Sequence, residues 1–172
     1  MEFNRLLSSA ISAYGEPKLG TVSNFTKIKE NQKAIDKKEY YLVTDPKEID
    51  NWIREAEEVG EVAVDTETSS LDPHQADLIG ISLSSKIGKA CYIPIGHNSK
   101  KCIDKQLVLK KLKPLLEDPS IKKIGQNIKY DLIVLRRNGI EISPLDDTML
   151  LSYVLDAGNN RHNMDTLSEL HL

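Results

Sequence analysis

The stretch EVAVDTETSSLD, residues 61 to 72, places two acidic residues where a short apolar run ends. Its first four residues are typical of a buried strand, and Asp65 and Glu67 follow with one residue between them. Because side chains two positions apart on a strand point to the same face, both carboxylates are predicted to project together. Such a pair raises its own pKa values unless a cation neutralises it. Since hard cations such as Mg²⁺ prefer oxygen ligands, the stretch suggests a metal site at a strand end.

The same pair of acids also has an ordinary explanation. The chain holds 26 acidic residues, so two of them fall into this spacing easily by chance, and most such pairs are solvated. The metal interpretation therefore depends on further ligands elsewhere in the chain.

A second polar group lies in GQNIKYDL, residues 125 to 132, where Asn127 and Asp131 are four positions apart at a predicted helix start. That spacing puts them on one face of the helix, one turn apart. An alternative interpretation, compatible with the first, is that Asn127 caps the helix and Asp131 complements its dipole. Three acids around one strand edge suit a site in which two cations activate a water and stabilise the leaving oxygen.

The whole-chain numbers are those of a globular domain with some additional chain. The 172 residues are 40% hydrophobic and 28% charged, with a formal net charge of −3, which is not the broad basic footprint of a duplex-DNA binder. Cys91 and Cys102 are too few and too far apart for a zinc site, and free thiols indicate a reducing compartment. No apolar run approaches the ~20 residues of a membrane span, and the start lacks signal-peptide features. We therefore expect a cytoplasmic protein with no membrane contact.

The pattern along the chain separates residues 1 to 38 from the rest. The first part is polar and predicted to be a partly disordered linker, with a short helix over residues 2 to 13. The second part alternates apolar runs with amphipathic stretches, which favours a mixed sheet covered by helices. The predicted strands lie at 40–44, 61–66, 78–84, 89–95 and 122–126. The predicted helices lie at 45–60, 105–118, 127–139, 146–158 and 166–172. The third begins at Asn127 and the last at Thr166. The second is predicted to face inward with Leu107, Leu112, Leu115 and Leu116.

Three phrases of the sequence carry a resemblance to a known family: VAVDTETSSLD, IGQNIKYDLIVL and DDTMLLSYVLDAGNNRHNMDTLSEL. They resemble the 3′–5′ exonuclease (proofreading) domain of bacterial DNA polymerase I, of the DnaQ-like or DEDD superfamily, from about residue 39 to residue 172. MEFNRLL resembles the connection that follows the 5′-nuclease domain of these polymerases, which is consistent with a linker over residues 1 to 38. The resemblance implies an α/β, RNase H-like exonuclease fold, with a mixed five-stranded sheet, flanking helices and an incomplete C-terminal part.

The resemblance also implies an activity: two-metal hydrolysis of the 3′-terminal phosphodiester of single-stranded or frayed DNA, in replication and repair. Carried over by position, Asp65 would bridge two Mg²⁺ ions, for which Mn²⁺ can substitute. Glu67 would bind one metal and help orient the attacking water, and Asp131 would serve the other with support from Asn127.

Two further positions would contact the substrate in this resemblance. Leu71 would act as an apolar wedge against the terminal bases, and the backbone around Thr66 would lie near the terminal nucleotide. The implied partners are a DNA 3′ end and a polymerase domain of the same or a separate chain.

The family's third acidic motif, Tyr-x-x-x-Asp on a later helix, has no match downstream of Asp131 in this sequence. We therefore expect a fragment of a longer polymerase, a natural remnant, or a chain completed by a second polypeptide, with weak activity alone. Two other functions remain open: a non-catalytic nucleic-acid-binding or structural module, and an RNA-trimming exonuclease of the RNase D type.

Overall fold

The computed structural model describes residues 8, 11–13, 15, 38–97, 101–158 and 160–171. The chain divides into two compact units, Met1–Lys33 and Ala34–Leu172. In the first unit residues 11–13 are helical, and the Gly15 amide donates to the Ile11 carbonyl over 2.8 Å. Most of the predicted linker, and most of its predicted short helix, lies outside the described residues.

The described part of the second unit is a mixed sheet with helices, as the sequence predicts. Its strands are β1 (Glu39–Leu42), β2 (Glu61–Thr68), β3 (Leu78–Lys86), β4 (Lys89–Pro94), β5 (Lys122–Gly125) and β6 (Leu145–Asp147). Its helices are α1 (Pro46–Val59), α2 (Lys105–Glu117), α3 (Lys129–Arg137), α4 (Thr148–Asp156) and α5 (Met164–His171). The strand order is β1-β4-β3-β2-β5-β6, in which β3 is antiparallel to β2 and β4, and the other neighbours are parallel.

The elements that the sequence marks with start and stop signals form where they are predicted. Helix α1 begins at Pro46 behind Asp45, whose carboxylate accepts the Lys47 amide over 2.9 Å. It ends at Gly60, whose φ of 82° is a left-handed conformation that costs glycine little. The hairpin of β3 and β4 also lies where the two apolar runs predict it.

The hydrophobic core combines side chains of the sheet with those of helices α1, α2 and α3, the last contributing Val134 and Leu135. Helix α1 contributes Ile49, Trp52 and Ala56, and the buried residues of α2 are Val108, Leu109, Leu112, Leu115 and Leu116. The prediction that Leu107 faces inward is wrong, since its side chain is 38% exposed. At about 100° per residue, the stripe through Val108, Leu112 and Leu115 turns Leu107 toward the helix edge.

The sheet has six strands in the described residues, not the five that the sequence predicts. The additional strand is β6, which pairs in parallel with β5 from Lys123↔Leu145 to Gly125↔Asp147. The sequence assigns residues 146 and 147 to a helix start, because three residues are too few to show a strand period. The predicted start of the last helix at Thr166 is also wrong, since α5 begins at Met164.

Helices α4 and α5 contain no buried side chain. Their apolar groups, including Val154, Leu155 and Leu170, are exposed. None of the described helices has both the length and the apolar character needed to cross a membrane.

Candidate active site

Four acidic residues gather where three parallel strands end. Asp65 and Glu67 lie in the second half of β2, and Asp147 is the last residue of β6. Asp131 lies in the first turn of α3, the helix that follows β5. Because β2, β5 and β6 are mutually parallel neighbours, their carboxyl ends share one edge of the sheet, the usual position of a ligand site in α/β folds.

The alternating burial of β2 sets the direction of the two acids. Val62, Val64 and Thr66 are buried on the core side, whereas Asp65 and Glu67 are exposed on the opposite face. The two carboxylates therefore project together, as their spacing predicts.

Asp131 reaches this strand end through Thr66. The β2–β5 pairing runs only to Ala63↔Ile124, so beyond it the edge of β2 has no partner strand on that side. Asp131 accepts there the Thr66 amide over 2.9 Å and the Thr66 hydroxyl over 2.5 Å, both at Oδ1. Since a buried amide without an acceptor is costly, these bonds explain how a carboxylate only 5% exposed is held beside the strand.

The gathered charges change the ionisation of the site. Although Asp65 is exposed as a whole residue, the partial burial of its carboxylate, followed by the charges of Asp131 and Glu67, raises the pKa of Asp65 to about 6. Burial also raises the pKa of Asp131, with a contribution from Asp147, although the two bonds from Thr66 oppose it. Asp65 therefore lies close enough to Asp131 and Glu67 to be repelled by both carboxylates, and a bound cation would relieve this repulsion.

The donor set fits a divalent cation that keeps part of its water shell. Among the described residues, no three His, Cys, Asp or Glu side chains are arranged to hold a metal ion by themselves. Mg²⁺ is commonly bound by one or two carboxylates together with waters and substrate phosphates, so an open set of hard oxygen ligands suits it. Asp65 and Glu67 are exposed on one face and Asp131 lies behind them, which matches this requirement.

Asn127 is not where the sequence places it. It precedes α3 with a φ of 55°, and Ile128 occupies the N-cap without a side-chain bond. The predictions that Asn127 caps the helix and shares a helix face with Asp131 are therefore wrong. Asparagine tolerates the left-handed region better than most residues, so it suits a sharp turn between β5 and α3.

Asp147 supplies the cap that Asn127 does not. Its carboxylate accepts the amides of Asn127 over 3.0 Å and Ile128 over 3.1 Å, across a gap of about 20 residues. It also accepts the Met149 amide of α4 over 2.9 Å, the local capping role that the sequence allows for this residue. The first role has no local sequence signal, because it depends on the pairing of β5 with β6.

The loop after Glu67 presents Leu71 to solvent, with 96% of its side chain exposed. Residues 66 to 71 line a groove together with Tyr130 of α3. The Tyr130 hydroxyl contacts the hydroxyl of Thr68 and donates to the Ser70 carbonyl. Sequence reasoning missed Tyr130, although its place next to Asp131 in the second motif was a usable signal.

Tyr92 is another side chain at this edge that the sequence did not single out. Its hydroxyl is 2.6 Å from Nε2 of His97. Gly80 pairs directly with Glu67, and a Cβ on Gly80 would lie 2.0 Å from the Tyr92 hydroxyl oxygen. The phenol therefore covers Gly80, and burial together with the Glu67 charge raises the pKa of Tyr92.

A family model described as 3′-5′ exonuclease matches residues 40–172. The chain belongs to the 3′–5′ exonuclease family. The match covers all six strands and all five helices of the described second unit apart from the first residue of β1, and it confirms the resemblance carried by the three phrases.

Similar proteins of known name are DNA polymerases. The chain is 44% identical over 159 residues to DNA polymerase I of Rhizobium leguminosarum. The matched region covers 80% of this chain and 16% of the relative. It is 42% identical over 140 residues to DNA polymerase I of Pseudomonas aeruginosa, covering 78% of this chain and 15% of the relative. The exonuclease-family chain thus spans about a sixth of the length of these curated relatives.

Solved structures of nucleases share the fold. Brucella melitensis NrnC with bound Mg²⁺ is 30% identical, with a TM-score of 0.57 and coverage of 78% of this chain and 61% of that one. RNase D of Trypanosoma brucei is 15% identical, with a TM-score of 0.58 and coverage of 70% and 41%, a likeness of fold alone. These likenesses confirm the RNase H-like exonuclease fold.

Proposed function

We propose that this exonuclease-family chain hydrolyses the 3′-terminal phosphodiester of a DNA strand at the edge formed by Asp65, Glu67 and Asp131. The observation that carries the proposal is the gathering of these carboxylates at one strand end, where burial, followed by the charges of Asp131 and Glu67, raises the pKa of Asp65 to about 6. The likeness to a nuclease solved with bound Mg²⁺ supports the same metal here. The proposal includes two ions per site and Mn²⁺ as a substitute. Such ions supply an activated water and neutralise charge on the leaving oxygen.

Each side chain has a separate task in this proposal. Asp65 and Glu67 present oxygen atoms from the exposed face of β2, where Asp65 would help to hold both ions and Glu67 would hold one ion and orient the water. Asp131, in an orientation held by its bonds to Thr66, would support the other ion. Asn127 supports Asp131 indirectly, through the turn that starts α3.

The substrate end of the site is the loop after β2. Leu71 lies in the first part of this loop with an exposed apolar side chain, which suits contact with the faces of the terminal bases. The backbone around Thr66 runs between the acids and this loop, where the terminal nucleotide would lie.

The relatives supply the biological setting of the proposal. Because they are DNA polymerases of much greater length, we place the chain beside a polymerase domain in cytoplasmic DNA replication, proofreading and repair. The substrate is then a single-stranded or frayed DNA 3′ end.

Metal binding is the direct test, because the sequence predicts weak turnover by this chain alone. Titration with Mn²⁺, followed by electron paramagnetic resonance, should show binding that Asp65→Asn weakens at least about tenfold, since a shared ligand is lost. The matched control is Asp50→Asn, an exposed aspartate on α1 that pairs with Lys111 over 2.5 Å. Equal Mn²⁺ affinity in wild type and Asp65→Asn would refute the proposed site.

Hydrolysis distinguishes the competing functions. With Mg²⁺ or Mn²⁺ present, a 5′-labelled DNA strand should shorten from its 3′ end faster than the same sequence in RNA, and Asp65→Asn should reduce the rate by about 10²-fold or more. Faster shortening of RNA would favour the RNase D-type alternative. Strand binding that persists in EDTA with no cleavage under any metal would favour the non-catalytic module.

A further inference from the structure

The loop between β2 and β3, residues 69–77, is closed at its base by hydrogen bonds between its two ends. The Ser69 amide donates to the Asp77 carbonyl over 3.0 Å, and the Asp77 amide donates to the Ser69 hydroxyl oxygen over 2.9 Å. Leu71 lies within this closed loop. Hydrogen bonds within the loop therefore fix the positions of its two ends. The far side of the loop is fixed by other hydrogen bonds.

The far side of the loop contains one tight turn, residues 73–75. Asp72 satisfies the start of the turn, since its carboxylate accepts the His74 amide over 2.9 Å and its carbonyl accepts the Ala76 amide over 2.9 Å. The carbonyls of Pro73, which opens the turn, and of Ala76, which follows it, can accept hydrogen bonds from a donor outside the loop.

Arg137 supplies that donor from the last turn of α3. Its Nη1 donates to the Pro73 carbonyl over 2.9 Å and to the Ala76 carbonyl over 2.7 Å. The neighbouring Arg136 behaves differently, because it forms a bidentate pair with Glu141 through Nε and Nη2. The two adjacent arginines at this helix end thus have separate partners. Of the two, Arg137 is the one whose hydrogen bonds reach the loop in the described part of the chain.

Helix α3 consequently contacts the strand end and the loop at three points. Asp131 accepts from Thr66, the Tyr130 hydroxyl donates to the Ser70 carbonyl, and Arg137 donates to the Pro73 and Ala76 carbonyls. Tyr130 and Arg137 are seven residues apart, about two helical turns, so one face of α3 follows the segment that carries Leu71.

We propose that Arg137 is a positioning residue, which holds Leu71 in place for the nucleic-acid 3′ end by tying the 69–77 loop to α3. The hydrogen bonds of Arg137 go to the backbone of Pro73 and Ala76, so its effect on Leu71 passes through that backbone. A rigid, planar guanidinium suits two converging carbonyls better than a flexible ammonium does. The role in substrate binding rests on the function proposed above, whereas the tie between loop and helix does not.

The tie is tested by amide hydrogen exchange on the full chain. Arg137→Ala should accelerate exchange of the Ser69, Ala76 and Asp77 amides by about tenfold or more, because the loop opens locally. Arg136→Ala is the matched control and should leave these amides unchanged, and Arg137→Lys should lie between. Unchanged loop exchange in Arg137→Ala would overturn the proposal, and so would an equal acceleration at Leu112 in the core, which would indicate general destabilisation.

The consequence for the substrate is tested by binding a 5′-labelled single strand with Ca²⁺ in place of Mg²⁺. Arg137→Ala should weaken binding about five- to tenfold, and should add no further loss in the Leu71→Ala background, because residues acting through one another are not additive. The dependence of affinity on salt should stay unchanged, whereas a direct phosphate contact would reduce the slope by about one.

Additive losses, or a reduced salt slope in Arg137→Ala, would overturn the positioning role in favour of a direct contact with the strand. A wild-type chain that binds no strand at all would refute the proposed substrate instead. The exchange experiment then decides the tie between Arg137 and the loop by itself.

Discussion

Helices α2 and α4 both carry several leucines, yet they are packed in opposite ways. Five side chains of α2 are buried, among them Leu112 at 0% exposure. In α4 no side chain is buried, and Leu155 is 83% exposed. Apolar composition alone therefore does not decide burial in this chain. What decides it is whether the sheet and a neighbouring helix face the apolar stripe, as they do for α2.

Helix α4 is held chiefly by polar contacts at one end and along one side. Asp147 caps its first turn, and the Thr148 hydroxyl donates to the Gly125 carbonyl over 3.1 Å. Farther along, the Ser152 hydroxyl lies 2.7 Å from Nδ1 of the buried His162. Such contacts fix the position of a helix but contribute less to the free energy of unfolding than buried leucines do.

The strongest way to test this difference is to truncate one leucine in each helix. Leu112→Ala should lower the free energy of unfolding by about 3 kcal/mol, because it removes buried methyl groups and leaves a cavity. Leu155→Ala should change it by less than about 0.5 kcal/mol. Urea unfolding monitored by Trp52 fluorescence measures both. Similar losses in the two variants would show that α4 is packed as tightly as α2.

Asp147 gives a smaller but more local test of how α4 is attached. Asp147→Ala should lower the free energy of unfolding by about 2 kcal/mol, because buried amides at the starts of α3 and α4 lose their acceptor. The neighbouring Asp146→Ala is the control: Asp146 forms only a partly exposed ion pair with Lys122, at 3.0 Å, so its loss should be within about 0.5 kcal/mol. Equal effects of the two substitutions in urea unfolding would contradict the double-capping role.

The smallest expected effect concerns the ionisation of Asp65 in β2. Its pKa is about 6 in the folded chain against an ordinary value of 3.8, so ionisation disfavours the folded state. The protonated carboxyl of Asp65 contributes to the free energy of unfolding. That contribution is fully present below pH 3.8 and is lost as the pH rises through about 6. In EDTA at pH 7, Asp65→Asn should therefore be more stable than wild type by about 1 kcal/mol, after allowance for solvent screening.

The measurement is urea unfolding of both proteins at several pH values. The gap between Asp65→Asn and wild type should close below about pH 4, where the carboxyl is protonated in both states. Added Mg²⁺ should also narrow the gap at pH 7, since it binds the folded wild type. A gap in the free energy of unfolding that is independent of pH would contradict the raised pKa of Asp65 in the folded chain.

The elements that the sequence predicts best have strong local signals. Helix α1 has a proline near its start and a glycine at its end, and β2 alternates so regularly that the directions of Asp65 and Glu67 follow from it. The errors occur where local signals are weak or compete. Strand β6 is too short to show a period, and Asn127 looks like a helix cap although a distant carboxylate takes over that role.

The sequence by itself determined the family, the mixed α/β fold and the paired acids of β2, because periodicity and motif order are properties of neighbouring residues. Only the tertiary structure decided which distant side chains bond to the backbone at the ends of β2 and β5 and in the loop after β2. Asp131 meets Thr66 across 65 residues, Asp147 meets Asn127 across 20, and Arg137 meets Ala76 across 61. These contacts depend on the strand order and on where each pairing ends. Unpaired backbone groups at those ends then require an acceptor or a donor from a distant part of the chain.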